Sequence, residues 1–342
     1  MFDYRKSFLS IAACLALAAS AFAADPVVLR MNTNVSENDL KNSSFGLGIT
    51  TLVEQCDKLS GGRLKVEVFT HSQLGKTPSE VVGGAQMGSF EMFNLVAGSW
   101  GEYTNAFLPV NTPYLFTDEK VLQQFLYGPE GQKIKDKVLA DTDTRVVFYG
   151  WLGFRNIINN VRPIEKPEDL KGLKMRVLSD RYTIKTFETF GAPTIQVSYS
   201  ELYTASQQGL IDGSDGPFVN IYNSKLYEVQ KYLSETHNAY TLAVMCIAEE
   251  AYQDLPEDLR KAFDQACAAA QKVAEDNERF DAAALDELKK TMTFNKLSPE
   301  QLKAFEDAAA PVREMVRKEM GDEAWNAVIT EIDAIKARLG KK

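Results

Sequence analysis

The stretch PEDLKGLKMRVL at 167–178 sets a charged side chain where an anion could find it. Leu173, Met175 and Val177 alternate with Lys174 and Arg176, the period of a strand with one buried face. A guanidinium at the end of such a strand is either solvated or held for an anion. A second arginine, Arg155, follows an apolar strand and a glycine in YGWLGFRNIINNVRPI at 149–164, with Trp151 and Phe154 beside it. Taken alone, each arginine is of a type found mostly on surfaces. Guanidinium nevertheless has the fork geometry that grips a carboxylate through two parallel hydrogen bonds, which lysine lacks.

Motifs for other chemistry are incomplete. LGKT at 74–77 resembles the end of a phosphate loop, but the required first glycine is Thr70, and Pro78 follows. GLGITT at 46–51 lacks the third glycine of a dinucleotide fingerprint. DGSDG at 212–216 suggests a calcium loop, yet Asn223 stands where the bidentate glutamate belongs. HExxH, CxxC and GxSxG are absent, and His71 and His237 are the only histidines, so neither a histidine triad nor a multi-histidine metal site is expected. Carboxylates are plentiful, but nothing in their spacing singles out an acid–base pair. The expectation is a binding protein with no catalytic residue, no metal and no cofactor.

The elements that would position the arginines read as two α/β units. VVLRMNTN, RLKVEVF and SFEMFNLVA read as strands, separated by helices through FGLGITTLVEQCDKLS and TPSEVVGGAQMG, the second with Thr77 as N-cap and Pro78 in its first turn. This βαβαβ order predicts a parallel sheet flanked by helices. Two amphipathic helices, DEKVLQQFLYG and PEGQKIKDKVLA, lead to the apolar strand RVVFYGWLG. Alternation resumes from 154 to 215, with strands at Arg176, PTIQVS and LIDG. TLAVMCIAEEAY reads as a strand running into helix, and the run from 256 to 290 as one long helix. No low-complexity linker separates the units, so interleaved lobes are expected.

Across all 342 residues, 45% are hydrophobic and 25% charged, and mean hydropathy is -0.23, values of a globular chain without multiple membrane spans. The formal net charge of -9 argues against a nucleic-acid partner and requires any anion site to be local. The first residues carry Arg5 and Lys6, an apolar run from Phe8 to Leu17 and a small-x-small site at Ala21-Phe22-Ala23, which predict a signal peptide over 1–23 and export to the periplasm. The mature part keeps Cys56, Cys246 and Cys267, an odd set without framework spacing, expected as small buried apolar residues. A Cys246–Cys267 bridge stays open.

Three segments carry a family resemblance: GFRNIINNVRPIEKPEDLKGLKMRVL, GAPTIQVSYSELYTASQQGLIDGSDGP and KLYEVQKYLSETHNAY. They resemble the solute-binding proteins of TRAP (tripartite ATP-independent periplasmic) transporters, with SGGRLKVEVFTHSQLGKTPSEV and LPVNTPYLFTD similar upstream. The resemblance spans nearly the whole mature chain. It implies an α/β fold of two interleaved lobes, with hinge strands and a long helix spanning both. Lobe I is expected over 24–150 and about 238–270, and lobe II over 151–237 and about 271–342. Ligand would lie between the lobes, and the partners would be a small organic carboxylate and the small and large membrane subunits of the transporter. A monomer is expected.

The arginine of the family's LKxRV strand falls on Arg176 and that of its GxR motif on Arg155, which the resemblance makes carboxylate ligands. Asn32 falls where the family often places a polar contact, and Tyr199 where it places an aromatic wall. The departure is at DGSDGP, where the family's usual Asn is Gly216. The glycine stands either in a turn needing a permissive backbone or beside a widened cavity. The strand end at Val96 to Ser99 offers few groups for hydroxyls, and Trp100, Trp151, Phe154, Tyr199 and Phe218 could border the cleft or belong to the core. These features tilt the expectation toward an apolar or aryl monocarboxylate, with a sugar acid or C4-dicarboxylate as the alternative. An exported enzyme or a ligand-sensing subunit is the alternative of a different class.

Overall fold

The computed structural model describes residues 25–341. The expected signal peptide lies outside the described residues. Two mixed sheets form two lobes. The first has strand order β2-β1-β3-β10-β4, built from β1 (Val27–Asn32), β2 (Leu64–Phe69), β3 (Met92–Val96), β4 (Thr144–Phe154) and β10 (Tyr240–Ala248). β1 runs parallel to β2 and β3, as the βαβαβ reading expects, while β10 is antiparallel to both β3 and β4. The second sheet has order β11-β9-β5-β8-β6-β7, from β5 (Asn156–Asn159), β6 (Met175–Val177), β7 (Thr194–Gln196), β8 (Gly213–Gly216), β9 (Tyr232–Glu235) and β11 (Thr293–Lys296). The strand expected at LIDG therefore sits a few residues later, on GSDG.

Local chemistry sets the first lobe's helices. Thr77 caps Pro78–Gln86 through a capping box with Glu80, and Gly61 ends Ser44–Ser60 in the left-handed conformation at φ 63. Every residue of β10 is buried because strands flank it on both sides and helices cover both faces. One face packs Phe93, Trp100, Phe125 and Trp151; the other packs Ile49, Leu52, Phe148 and Phe263. Cys56, Cys246 and Cys267 are free thiols buried in these layers.

The chain crosses between lobes where β4 gives way to β5, at Arg155, and again between β9 and β10. The crossovers are joined to each other: Arg155 N–H donates to the Ala239 carbonyl at 2.8 Å, and Asn238 N–H to the Arg155 carbonyl at 3.2 Å. A third crossing runs through the helical region. The long helix expected from 256 to 290 is two, Glu257–Ala274 on the first lobe and Glu278–Thr291 on the second. The break falls at buried Asn277, whose Oδ1 accepts from Ser44 Oγ at 3.2 Å. Such an amide offers the backbone an alternative to continued helix. The tail also departs from the expected boundary. Val328, Ile332 and Ile335 of the last helix, Asp322–Leu339, pack into the first lobe's core beside Phe125. Apolar spacing along a helix marks a buried face but not which lobe covers it.

Candidate functional site

A cavity of about 420 Å³ lies between the lobes, lined by Asn32, Asn94 and Ser99 from the first and Arg176, Tyr199 and Gly216 from the second. β6 places Arg176 there as its middle residue, in register with Ile195 of β7 and Ser214 of β8. The side chain is 2% exposed. Its Nε donates to the Val197 carbonyl at 2.8 Å, and neither terminal nitrogen has a partner among the described residues. Burial pushes the Arg176 guanidinium down to about 10, and the like charge of Arg155 adds to this, while Asp215 pulls it back. Arg176 is thus a buried cation with two donors free beside an open cavity.

Arg155 also borders the cavity but is already neutralised. Nε donates to Asp215 Oδ2 at 2.7 Å and Nη2 to Oδ1 at 2.6 Å, a forked pair. Nη2 also reaches the Asp215 carbonyl at 2.7 Å, and Nη1 reaches Thr241 Oγ1 at 3.1 Å. Burial opposes the charge on each partner, but the pairing wins: Arg155 is held above its ordinary value and Asp215 below its own. Asn238 Nδ2 adds a bond to Asp215 Oδ2 at 2.8 Å. Arg155 is thus matched by Asp215 at the crossover, and of the two arginines only Arg176 has no ion-pair partner among the described residues.

The other expected residues divide. Asn32 lines the cavity while its amide is occupied, donating to the Gly75 carbonyl at 3.0 Å and accepting from Leu74 N–H at 3.1 Å. Tyr199 stands at the wall, its Oη bonded to Ser224 Oγ at 2.6 Å. Ser99 faces the cavity from the turn Ala97–Trp100. Gly216 lies in β8, paired with Asn156, so no turn requires it. A Cβ there would meet only Ile221 Cγ1, at 3.7 Å, leaving room for a side chain. Trp151 and Phe218 do not line the cavity. Trp151 is fully buried in the first lobe, edge-on to Tyr240, and Phe218 packs with Ile221 and Leu288 in the second. Trp100 and Phe154 are likewise outside the lining, whose aromatic members are Phe45 and Tyr199.

The sequence reading missed most of the polar wall. Asn34, Asp39, Ser72, Asn94, Gln196 and Asn220 all face the cavity. Asn94 had a legible signal, an amide interrupting the apolar strand MFNLV. Buried amides need partners; its Nδ2 donates to Asn34 Oδ1 at 3.0 Å, and its own Oδ1 has none. Lys76 borders the same cavity and forms no ion pair among the described residues. No cluster of three or more metal-ligating side chains occurs among the described residues. None of their helices is long and apolar enough to cross a membrane.

The family model for bacterial extracellular solute-binding proteins, family 7, matches residues 33–319. A solute-binding protein of Verminephrobacter eiseniae is 30% identical over 90% of each chain. The C4-dicarboxylate-binding periplasmic protein DctP of Rhodobacter capsulatus is 29% identical over 93% of this chain and 95% of its own. The solved sugar acid binding protein DctPAm of Advenella mimigardefordensis, in complex with galactonate, superposes with a TM-score of 0.85 at 29% identity, covering 91% of this chain and 99% of that one.

Proposed function

This chain belongs to the bacterial extracellular solute-binding proteins of family 7, the TRAP-transporter binding proteins, and from that premise we propose that it captures a small hydroxylated organic acid between its lobes. It would deliver that acid to the small and large membrane subunits of its transporter. The family binds and hands on solutes; it is not one of enzymes. The observation that carries the reading is Arg176, a buried guanidinium with both terminal nitrogens free at the cavity. A carboxylate there makes two charge-assisted hydrogen bonds in a site of low dielectric.

The hydroxylated class is favoured by the rest of the lining, where amides and hydroxyls outnumber aromatic faces. A buried hydroxyl left without a partner costs about 1–3 kcal/mol, and this wall supplies partners. An aryl or indolyl acid, the class toward which the aromatic content tilts the sequence reading, would find only Phe45 and Tyr199 as ring-bearing walls. Binding of galactonate by DctPAm agrees with the hydroxylated class. A C4-dicarboxylate is the second reading, favoured by Lys76 on the opposite lobe and by the ligand of DctP.

The test is a calorimetric panel of D-galactonate, D-glucuronate, succinate and indole-3-acetate. Preference for a hydroxylated acid is expected, with the wild-type thermal midpoint rising accordingly. A ligand at 100 times its dissociation constant adds about 2.7 kcal/mol of stability. Tight binding of succinate alone would favour the second reading. Tight binding of indole-3-acetate alone would overturn the hydroxylated class.

A further inference from the structure

Helix Phe218–Asn223 of the second lobe reaches the first lobe at its final residue. Asn223 Nδ2 donates to Asp39 Oδ1 at 2.7 Å and to the Asn42 carbonyl at 3.2 Å. Both acceptors belong to helix Glu37–Asn42, on the far side of the cleft. Asp39 is fixed at its other oxygen by Ser36, whose Oγ and N–H donate to Oδ2 at 2.7 and 3.3 Å. Asp39 faces the ligand cavity; Asn223 does not. An ionised carboxylate offers about four acceptor sites. Asn223 and Ser36 fill three of them, and no cation pairs with this carboxylate among the described residues. One acceptor site remains, on a group that welcomes a hydroxyl and repels a second carboxylate.

We propose that Asn223 is a positioning residue for ligand capture: it bridges the lobes when the cleft shuts, and in doing so fixes Asp39 as the acceptor for a ligand hydroxyl. This deepens the hydroxy-acid reading and rests on it for the identity of the ligand group. The bridge itself is a contact between two helices and stands independently of which acid binds. An open cleft separates Asn223 from Asp39, so the bridge exists only in the closed state, where it adds a second hold on the carboxylate that Ser36 already anchors. Ligand release must break the bridge, whereas first encounter need not form it. The effect of Asn223 therefore falls on dissociation.

The experiment has two arms. In the first, D-galactonate association and dissociation are followed by stopped-flow fluorescence for wild type, Asn223→Ala, Asn223→Asp and the exchanged pair Asp39→Asn/Asn223→Asp. Loss of a hydrogen bond to a carboxylate should speed dissociation about fivefold or more, with association within about twofold of wild type. Asn223→Asp sets two carboxylates together and should be worse, and the exchanged pair should recover part of the loss, which a merely structural role would not do. Dissociation from Asn223→Ala unchanged within about twofold would overturn the proposal. In the second arm, spin labels at Met87→Cys and Val161→Cys, exposed at 78% and 46% on opposite lobes, report the distance between lobes. Asn223→Asp should lengthen it. Distance distributions identical to wild type, with and without D-galactonate, would overturn the bridge. If D-galactonate does not bind the wild type, the first arm is run with D-glucuronate; if neither binds, the hydroxy-acid reading fails and the second arm alone decides the bridge.

Discussion

Keeping the Arg176 guanidinium buried without a counter-ion destabilises the ligand-free chain, because a charge removed from water is costly until it is paired. Its depressed affinity for the proton records the same strain, set by burial and by the neighbouring Arg155. Two substitutions separate the roles. Arg176→Lys keeps the charge and loses the planar fork, so affinity for the bound acid should nearly vanish while the fold persists. Calorimetric affinity within about threefold of wild type, a difference below 1 kcal/mol, would remove Arg176 as the clamp. Arg176→Met keeps length, removes the unpaired charge, and should raise the thermal midpoint of the ligand-free protein while abolishing binding. A lowered midpoint would mean that the Val197 contact outweighs the desolvation. Arg155 gives the opposite expectation, since its charge is matched. Asp215→Asn leaves a buried cation unpaired and should destabilise by about 3–5 kcal/mol in denaturant unfolding, as breakage of buried pairs does.

At the scale of elements, the site depends on where β4 ends. Gly153 adopts φ +111 one residue before the strand's last residue, and a Cβ there would lie 3.2 Å from the carboxylate atoms of Asp281 on helix Glu278–Thr291. A side chain is therefore strained by its backbone as well as crowded. Gly153→Ala should destabilise by about 1–3 kcal/mol, and it should weaken acid binding, because the displaced segment carries Arg155. Wild-type affinity in a folded Gly153→Ala protein would show that the crossover tolerates the shift. Nothing in LGFR announced this requirement, since the opposing carboxylate is remote in sequence. By contrast, β1 to β3, the Thr77-Pro78 helix start and the Arg176 strand were legible, because alternation and caps are local signals. Trp151 was not, because β4 is covered on both faces and alternation stops reporting which side meets the cleft. The Arg155–Asp215 pair was also hidden, since only the lateral pairing of β5 with β8 brings the two together.

Across the whole molecule, the two lobes can respond to a ligand only if it interacts differently with their open and closed arrangements. Arg176 on one lobe and the polar wall of the other meet that condition. Their mechanical link includes Asp281, which joins the second lobe to β4 and accepts from Val219 N–H at 3.2 Å. Burial pushes the Asp281 carboxyl up to about 7, and Glu119 from the helix Glu119–Tyr127 adds to the shift, while Val219 and His237 oppose it. The ordinary value is 3.8, so the folded chain holds a proton that the unfolded chain has released. The sign follows from linkage: this contribution to stability is complete below the ordinary value and declines as pH rises toward about 7, levelling off above it. Asp281→Asn cannot ionise and should escape the decline. The difference in thermal midpoint, variant minus wild type, should therefore increase from pH 5 to pH 7 and then stay constant to pH 8.5. Taking the difference cancels groups that titrate alike in both proteins. A difference independent of pH over that range would show that Asp281 is already ionised at pH 5 in the folded chain, and that the lobes meet around a charged carboxylate.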